Sequence, residues 1–360
     1  MMYRPAKAYI YLQALQQNLQ KIQSLAPNSK VLAVIKANGY GHGIERVAHQ
    51  LSSADGFGVA SIDEAMLLRQ KGFLHRILLL EGLFSEAELP VVIQNRLDVV
   101  IHSEYQLNWL LHTNIPVQLS VWIKIDTGMH RLGFDVQQVP SVIAKLERSD
   151  NEFCIHLMSH LASADENSVS AENFTANQIQ RFSETTQVYP YSKSLASSAG
   201  IIRFKQSHYD WVRPGISLYG AGDIPNNTIS TNAVMQLESE VIALKTIQIG
   251  ESVGYGNTWT AKRKSLVAVI AIGYGDGYPR HAKTGTPVLI LGEKFPLIGR
   301  VSMDMITVDL TDCQEEVKIG EKAILWGQDL SVDVIAKHSG TIGYELLCGV
   351  TKRVPMIEVQ

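Results

Sequence analysis

Several short segments put reactive side chains where an apolar run ends. Lys36 follows Val31–Ile35 in KANGYGHG. Lys124, Asp126 and Arg131 stand at or just past the end of Val117–Ile125 in KIDTGMHRLG. His160 ends the run Ile155–His160 in MSHLASADE, and Ser198 follows Lys193–Ser197 in SLASSAG. Arg213, Gly215 and Ile216 come at the end of Trp211–Arg213 in WVRPGISLYG. A lysine directly after an apolar strand meets a low dielectric, which favours its nucleophilic amine, and such an amine forms Schiff bases with aldehydes. With Ala37, Asn38 and Gly39 beside it, Lys36 also reads as a solvated turn residue. The small-residue loops around Ser198 and Gly215 offer backbone N–H donors of the kind that hold phosphate. An aldehyde-binding amine next to a phosphate site points to pyridoxal phosphate (PLP).

These residues share one site only if their runs are strands of one barrel. Before residue 220 the sequence has eight such runs, the other three being Phe57–Ser61, Ile77–Leu80 and Val99–His102. Amphipathic stretches such as Ile62–Lys71, Glu104–Leu111 and Val139–Arg148 lie between them. Eight strands alternating with helices predict an α/β fold, a (β/α)8 TIM-type barrel, with its active site at the carboxyl ends of the strands. An open doubly wound sheet is the rival, but no GxGxxG follows the first strand.

The turn-rich segment Gly220–Asn232 reads as a linker. Beyond it, Ser239–Ile249, Ser265–Ile272, Thr286–Leu291, Lys294–Val301, Met305–Leu310 and Ala323–Trp326 read as strands, with one helix near Val332–His338. The division is therefore a barrel over 1–225 and a mostly-β C-terminal domain over 226–360. The strand-like run Ala8–Leu12 precedes the first barrel helix (Ala14–Leu25), and pairing of residues 1–12 with the C-terminal domain stays open.

Composition narrows the function classes. A net charge of −3 disfavours a basic nucleic-acid binder, and no apolar run approaches the ~20 residues of a membrane span. Cys154, Cys313 and Cys348 are too few and scattered for a disulfide framework or a zinc site, so no metal is expected. With no leader segment legible in MMYRPAKAYIYLQ, the expectation is a cytoplasmic protein.

The ordered segments AVIKANGYGHG, KIDTGMHRLG, DWVRPGISLYG, VGYGNTW, IGYGDGYPR, GRVSMDM and IGYELLC span almost the whole chain. In them the sequence resembles the alanine racemases, PLP enzymes built of a barrel followed by a β-domain. The resemblance implies that Lys36 carries PLP, that Tyr40, Ser198, Gly215, Ile216 and Tyr344 hold its phosphate, and that Arg213 faces the pyridine nitrogen. It implies that Arg131 contacts the cofactor's phenolic oxygen and the substrate carboxylate. Tyr255 would be a second base, with His160 bonded into the Tyr255–Arg213 network. Tyr274 and Met303 would line the substrate side. Lys124 matches a lysine that relatives often carry as a carbamate. The implied assembly is a homodimer whose active sites are shared, and the implied role is D-alanine supply for peptidoglycan or alanine catabolism.

The chemistry is consistent with these roles. Inversion at an α-carbon requires proton loss on one face and proton gain on the other, which two acid/base groups achieve most directly. An arginine will not hand its proton to a pyridine nitrogen, so the ring stays a weaker electron sink and proton return at Cα is favoured over transamination.

Blander readings stand beside these. Tyr255 also reads as a strand aromatic, Tyr274 and Tyr278 as hairpin aromatics, and His160 as a core histidine. His42 and His130 read as turn residues, Asp126 as a loop or helix cap, and Arg300 with Asp304 as a structural ion pair. Ser197 replaces an asparagine common in relatives and is given no role, as is Ser302. A PLP-dependent decarboxylase fits less well, because such enzymes usually pair the pyridine nitrogen with a carboxylate. A non-catalytic PLP carrier does not account for the second domain. A racemase for serine or a broader set of amino acids is the remaining alternative.

Overall fold

The computed structural model describes residues 4–226 and 229–360. Asn227 and Thr228 of the expected linker, and the first three residues of the start read for a leader segment, lie outside the described residues.

Eight parallel strands, from Lys30–Val34 to Trp211–Arg213, form the barrel. Asp98–Ile101 closes the ring against Leu119–Asp126, with Val99 opposite Val121. Each expected strand is present, with ends moved by a few residues. Their continuous apolar character follows from burial on both faces, by the interior on one side and the helices on the other. Leu32, Leu78, Val100, Trp122, Met158 and Trp211 fill the interior. The larger core packs the outer strand faces against helices such as Leu12–Leu25 and Val139–Glu147.

The second domain is an eight-stranded sheet, which its longest strand, Met235–Ile247, helps to fold back on itself. The early half of that strand pairs with Lys322–Trp326 and the later half with Ser265–Ile270. The N-terminal strand Lys7–Tyr11 belongs to this sheet. It runs antiparallel to Met235–Ile247 and parallel to Met356–Val359. Residues 7–11 thus belong to the second domain although they precede the barrel in sequence. Buried Asn18 fastens the crossover: its amide donates to the carbonyls of Leu218 and Asn232 and accepts from the Asn232 N–H. The helix Val332–Ser339 is present as expected. A further helix, Gly343–Gly349, and the strand Met356–Val359 were not foreseen.

Candidate active site

Beyond the carboxyl ends of the barrel strands lies a cavity of about 640 Å³. Lys36, Tyr40, Lys124, Arg131, His160, Ser198, Arg213, Gly215, Ile216 and Tyr344 all line it. Ser197, given no role from sequence, lines it too, as do Glu81 and Cys348.

Lys36 opens an unusual turn. Ala37, Asn38, Gly39 and Tyr40 all take left-handed backbone angles, with φ between 52° and 61°. Amides of the turn donate to Ile35 and Ala37 carbonyls, and Asn38 Oδ1 accepts from the Ile44 N–H. His42 Nδ1 lies 2.9 Å from the Tyr40 carbonyl, so this buried ring braces the turn. The lysine Nζ lies 3.8 Å from Glu81, the one acidic side chain on the cavity wall among the described residues.

The expected phosphate loops meet. Ser198 Oγ accepts from the N–H groups of Gly215 and Ser217 at 3.0 and 3.2 Å. A Cβ at Gly215 would sit 2.5 Å from the Tyr40 hydroxyl, so a side chain there would push that hydroxyl away. Tyr40 stacks on Tyr219, with centroids 4.7 Å apart, and lies 6.0 Å from Tyr344. Burial pushes the Tyr40 and Tyr344 phenols well upward, so both are neutral donors at ordinary pH.

Arg213 is buried and has no carboxylate partner among the described residues. Its guanidinium donates to Ser194 Oγ and to the carbonyls of Ser159 and Leu195. Burial pushes its pKa down to about 10, which leaves it cationic at neutral pH. Burial, then the charges of Arg213, Lys124 and Arg131, lowers the His160 ring to about 3, so it is neutral. Burial and the same two arginines lower Lys124 to about 8. Among the described residues, no carboxylate lies within ion-pair distance of Lys124 or of Arg131.

Three expected residues are not in this cavity. Tyr255, Tyr274 and Met303 sit on the second domain and are 71 %, 38 % and 52 % exposed. Tyr255 crowns a hairpin of Ser252–Val253 and Trp259–Thr260, while Tyr274 and Met303 occupy two nested loops. Within one chain, the His160 ring therefore makes no hydrogen bond to Tyr255, and it makes none to Arg213 either. The expected pair of Arg300 with Asp304 does not form. Asp304 binds Arg353, a better-placed fork, and Arg300 instead lies against Gly256 beside Tyr255. Tyr278 is no hairpin aromatic; it is fully buried against Trp326. Asp126 does cap its loop, accepting from the Gly128 and His130 N–H groups.

No helix among the described residues is long and apolar enough to cross a membrane. Family models for the N-terminal and C-terminal domains of alanine racemase match residues 10–223 and 234–358. The chain is 46 % identical to the alanine racemase of Vibrio cholerae over 98 % of both chains. It is 47 % identical to that of Coxiella burnetii over 99 % of both. Its fold superposes on the biosynthetic alanine racemase of Pseudomonas aeruginosa with a TM-score of 0.94 and 41 % identity, covering 99 % of this chain and 100 % of that one. With matches along both domains, the chain belongs to the alanine racemase family.

Proposed function

We propose that this protein interconverts L- and D-alanine using PLP and two bases, Lys36 and Tyr255. The observation that carries the reading is the convergence of Lys36 with the Ser198–Gly215 cradle on one cavity. The residues fit the cofactor. A Cβ at Gly215 would meet the Tyr40 hydroxyl, the neutral Tyr40 and Tyr344 phenols line the same cavity as Ser198, and cations dominate the wall. A dianionic phosphate suits that donor set. Bound PLP supplies an electron sink that acidifies the substrate Cα–H. In this reading Lys36 carries the cofactor, and Tyr40, Ser198, Gly215, Ile216 and Tyr344 hold its phosphate. Arg213, a fixed cation without an acid to share a proton with, faces the ring nitrogen.

Released from the cofactor, the Lys36 amine takes or returns the proton on one face of Cα. Tyr255 serves the other face. Because Tyr255 is exposed and outside its own chain's cavity, the second base comes from a partner in a homodimer with shared sites. Tyr274 and Met303 arrive with it, and the Met303 N–H, which has no acceptor among the described residues, is free for the substrate carboxylate. Arg131 offers an unpaired guanidinium to the same carboxylate. Arg213 and His160 would then meet the incoming Tyr255. Lys124 is set up for carbamylation. Its partly neutral amine attacks CO2, a N–C bond forms, a proton leaves, and Arg131 and Arg213 stabilise the anion. The intact protein should then gain the mass of one CO2, which acid removes.

The test is a chiral assay of the purified protein with each L-amino acid, with and without PLP. Alanine should be inverted fastest, and borohydride should fix a pyridoxyl group on Lys36. Lys36→Ala and Tyr255→Phe should each be nearly inactive, and random exchange of the two should restore roughly a quarter of the sites. No inversion, a label on another lysine, or subunit exchange without recovery would each overturn its part of the reading.

A further inference from the structure

The loops that carry Tyr274 and Met303 pack against two arginines, Arg353 and Arg4. Arg353 Nη2 lies 2.5 Å from Asp304, the residue after Met303. Its Nε lies 3.3 Å from Asp276, two residues after Tyr274. Asp276 is fully buried. Its other oxygen accepts from Arg4 at 2.7 Å and from the Gly273 N–H at 3.0 Å, which fixes the turn Tyr274–Asp276. The loops also nest through their backbones, with Tyr274 N–H on the Ser302 carbonyl and Gly275 N–H on that of Met303. The Arg353 guanidinium fills the space where a side chain at Gly275 would go. Arg4 is the closer partner of Asp276 but reaches the Asp304 carboxylate only at 3.7 Å and its carbonyl at 3.5 Å, so the short contact with the Asp304 carboxylate is that of Arg353.

We propose that Arg353 is a positioning residue that sets the separation of Tyr274 and Met303, and through it the width of the substrate entrance. The inference rests on the reading above, in which those two residues line the substrate side. Two carboxylates, each fixed to one loop, face one planar cation, which hydrogen-bonds Asp304 and approaches Asp276 as an ion pair, and a lysine's point charge cannot span them in the same way. Arg353 touches neither the cofactor cavity nor Lys36. Its loss should therefore alter how substrate fits rather than the chemistry.

The test uses PLP-loaded enzyme and the variants Arg353→Gln, Arg353→Lys and Asp304→Asn. Arg353→Gln should raise KM for alanine about tenfold while kcat stays within about threefold. Cofactor absorbance should be unchanged, and the kcat/KM of serine relative to alanine should rise. Arg353→Lys should fall between it and wild type. Asp304→Asn lies on the surface and tests the same bond without touching buried Asp276. It should shift KM in the same direction, and the double variant with Arg353→Gln should be no worse than Arg353→Gln alone. An active wild type whose variants keep its KM and its serine-to-alanine ratio overturns this inference alone. So does a fall in kcat and cofactor absorbance at constant KM, which marks a general structural role. A wild type that inverts no amino acid overturns the functional reading and this inference together.

Discussion

Replacing Gly215 by alanine should cost cofactor affinity through a single contact. The new Cβ would stand 2.5 Å from the Tyr40 Oη and 3.2 Å from its Cζ. Carbon contacts relax at about 3.5–4.0 Å, so the Tyr40 hydroxyl must retreat by roughly 1 Å. It has little room, because the ring is stacked on fully buried Tyr219. Overpacking of this kind costs about 1–3 kcal/mol, or roughly 5- to 150-fold in the Kd for PLP. Tyr40→Phe removes the clashing oxygen along with one donor to a charged phosphate, a loss of about 1.5–3 kcal/mol. The double variant should bind PLP about as well as Tyr40→Phe alone, because the clash and the lost donor act on the same atom. Titrating the apoprotein with PLP, followed by absorbance, measures all four constants. Strictly additive losses, or a Gly215→Ala variant with wild-type affinity, would refute the reasoning.

Other outcomes follow from groups already described. Burial holds both His42 and His156 at about 4, below the unfolded value near 6.5. Between those values the unfolded chain binds more protons, so stability falls as pH drops from 6.5 to 4, by up to about 3 kcal/mol for each histidine. The denaturant midpoint should therefore fall between pH 7 and 4.5, and less steeply in His156→Asn; a flat profile would contradict the burial argument. Arg213→Glu should raise the yield of aminated cofactor per turnover, because a carboxylate lets the ring nitrogen hold a proton; chromatography of the released cofactor checks it. Asn18→Ala leaves two carbonyls and one N–H without their partner and should lower stability by about 1–3 kcal/mol, read as the denaturant midpoint.

The barrel was legible because strands buried on both faces carry unbroken apolar runs, and the residue that ends or follows several of those runs lines the cavity. Lys36, His160, Ser198 and Arg213 were found in that way. The N-terminal strand was not assignable, since a run such as Ala8–Leu12 looks the same whichever sheet it joins. Tyr255 was legible only through its motif: a two-residue strand on each side carries no periodicity. Glu81 directly follows the run Ile77–Leu80, yet its approach to Lys36 depends on how non-consecutive strands sit side by side and not on local spacing. The misassigned partner of Asp304 has the same cause. Arg353 is 49 residues away, and proximity in sequence favoured Arg300.

The left-handed turn after Lys36 also ties the barrel to the second domain. Outside glycine, each such residue costs about 1–2 kcal/mol, so Ala37, Asn38 and Tyr40 together store roughly 3–6 kcal/mol. An isolated peptide would not hold that shape. It persists through Ile44, His42 and the helix at Leu347, whose carbonyl lies where a Gly41 side chain would go. The turn is thus held both by its own hydrogen bonds and by a helix of the second domain, so loosening that helix should relax the turn that begins at Lys36. In the proposed reading, affinity for PLP then reports on the docking of the second domain as well as on the barrel that carries the lysine.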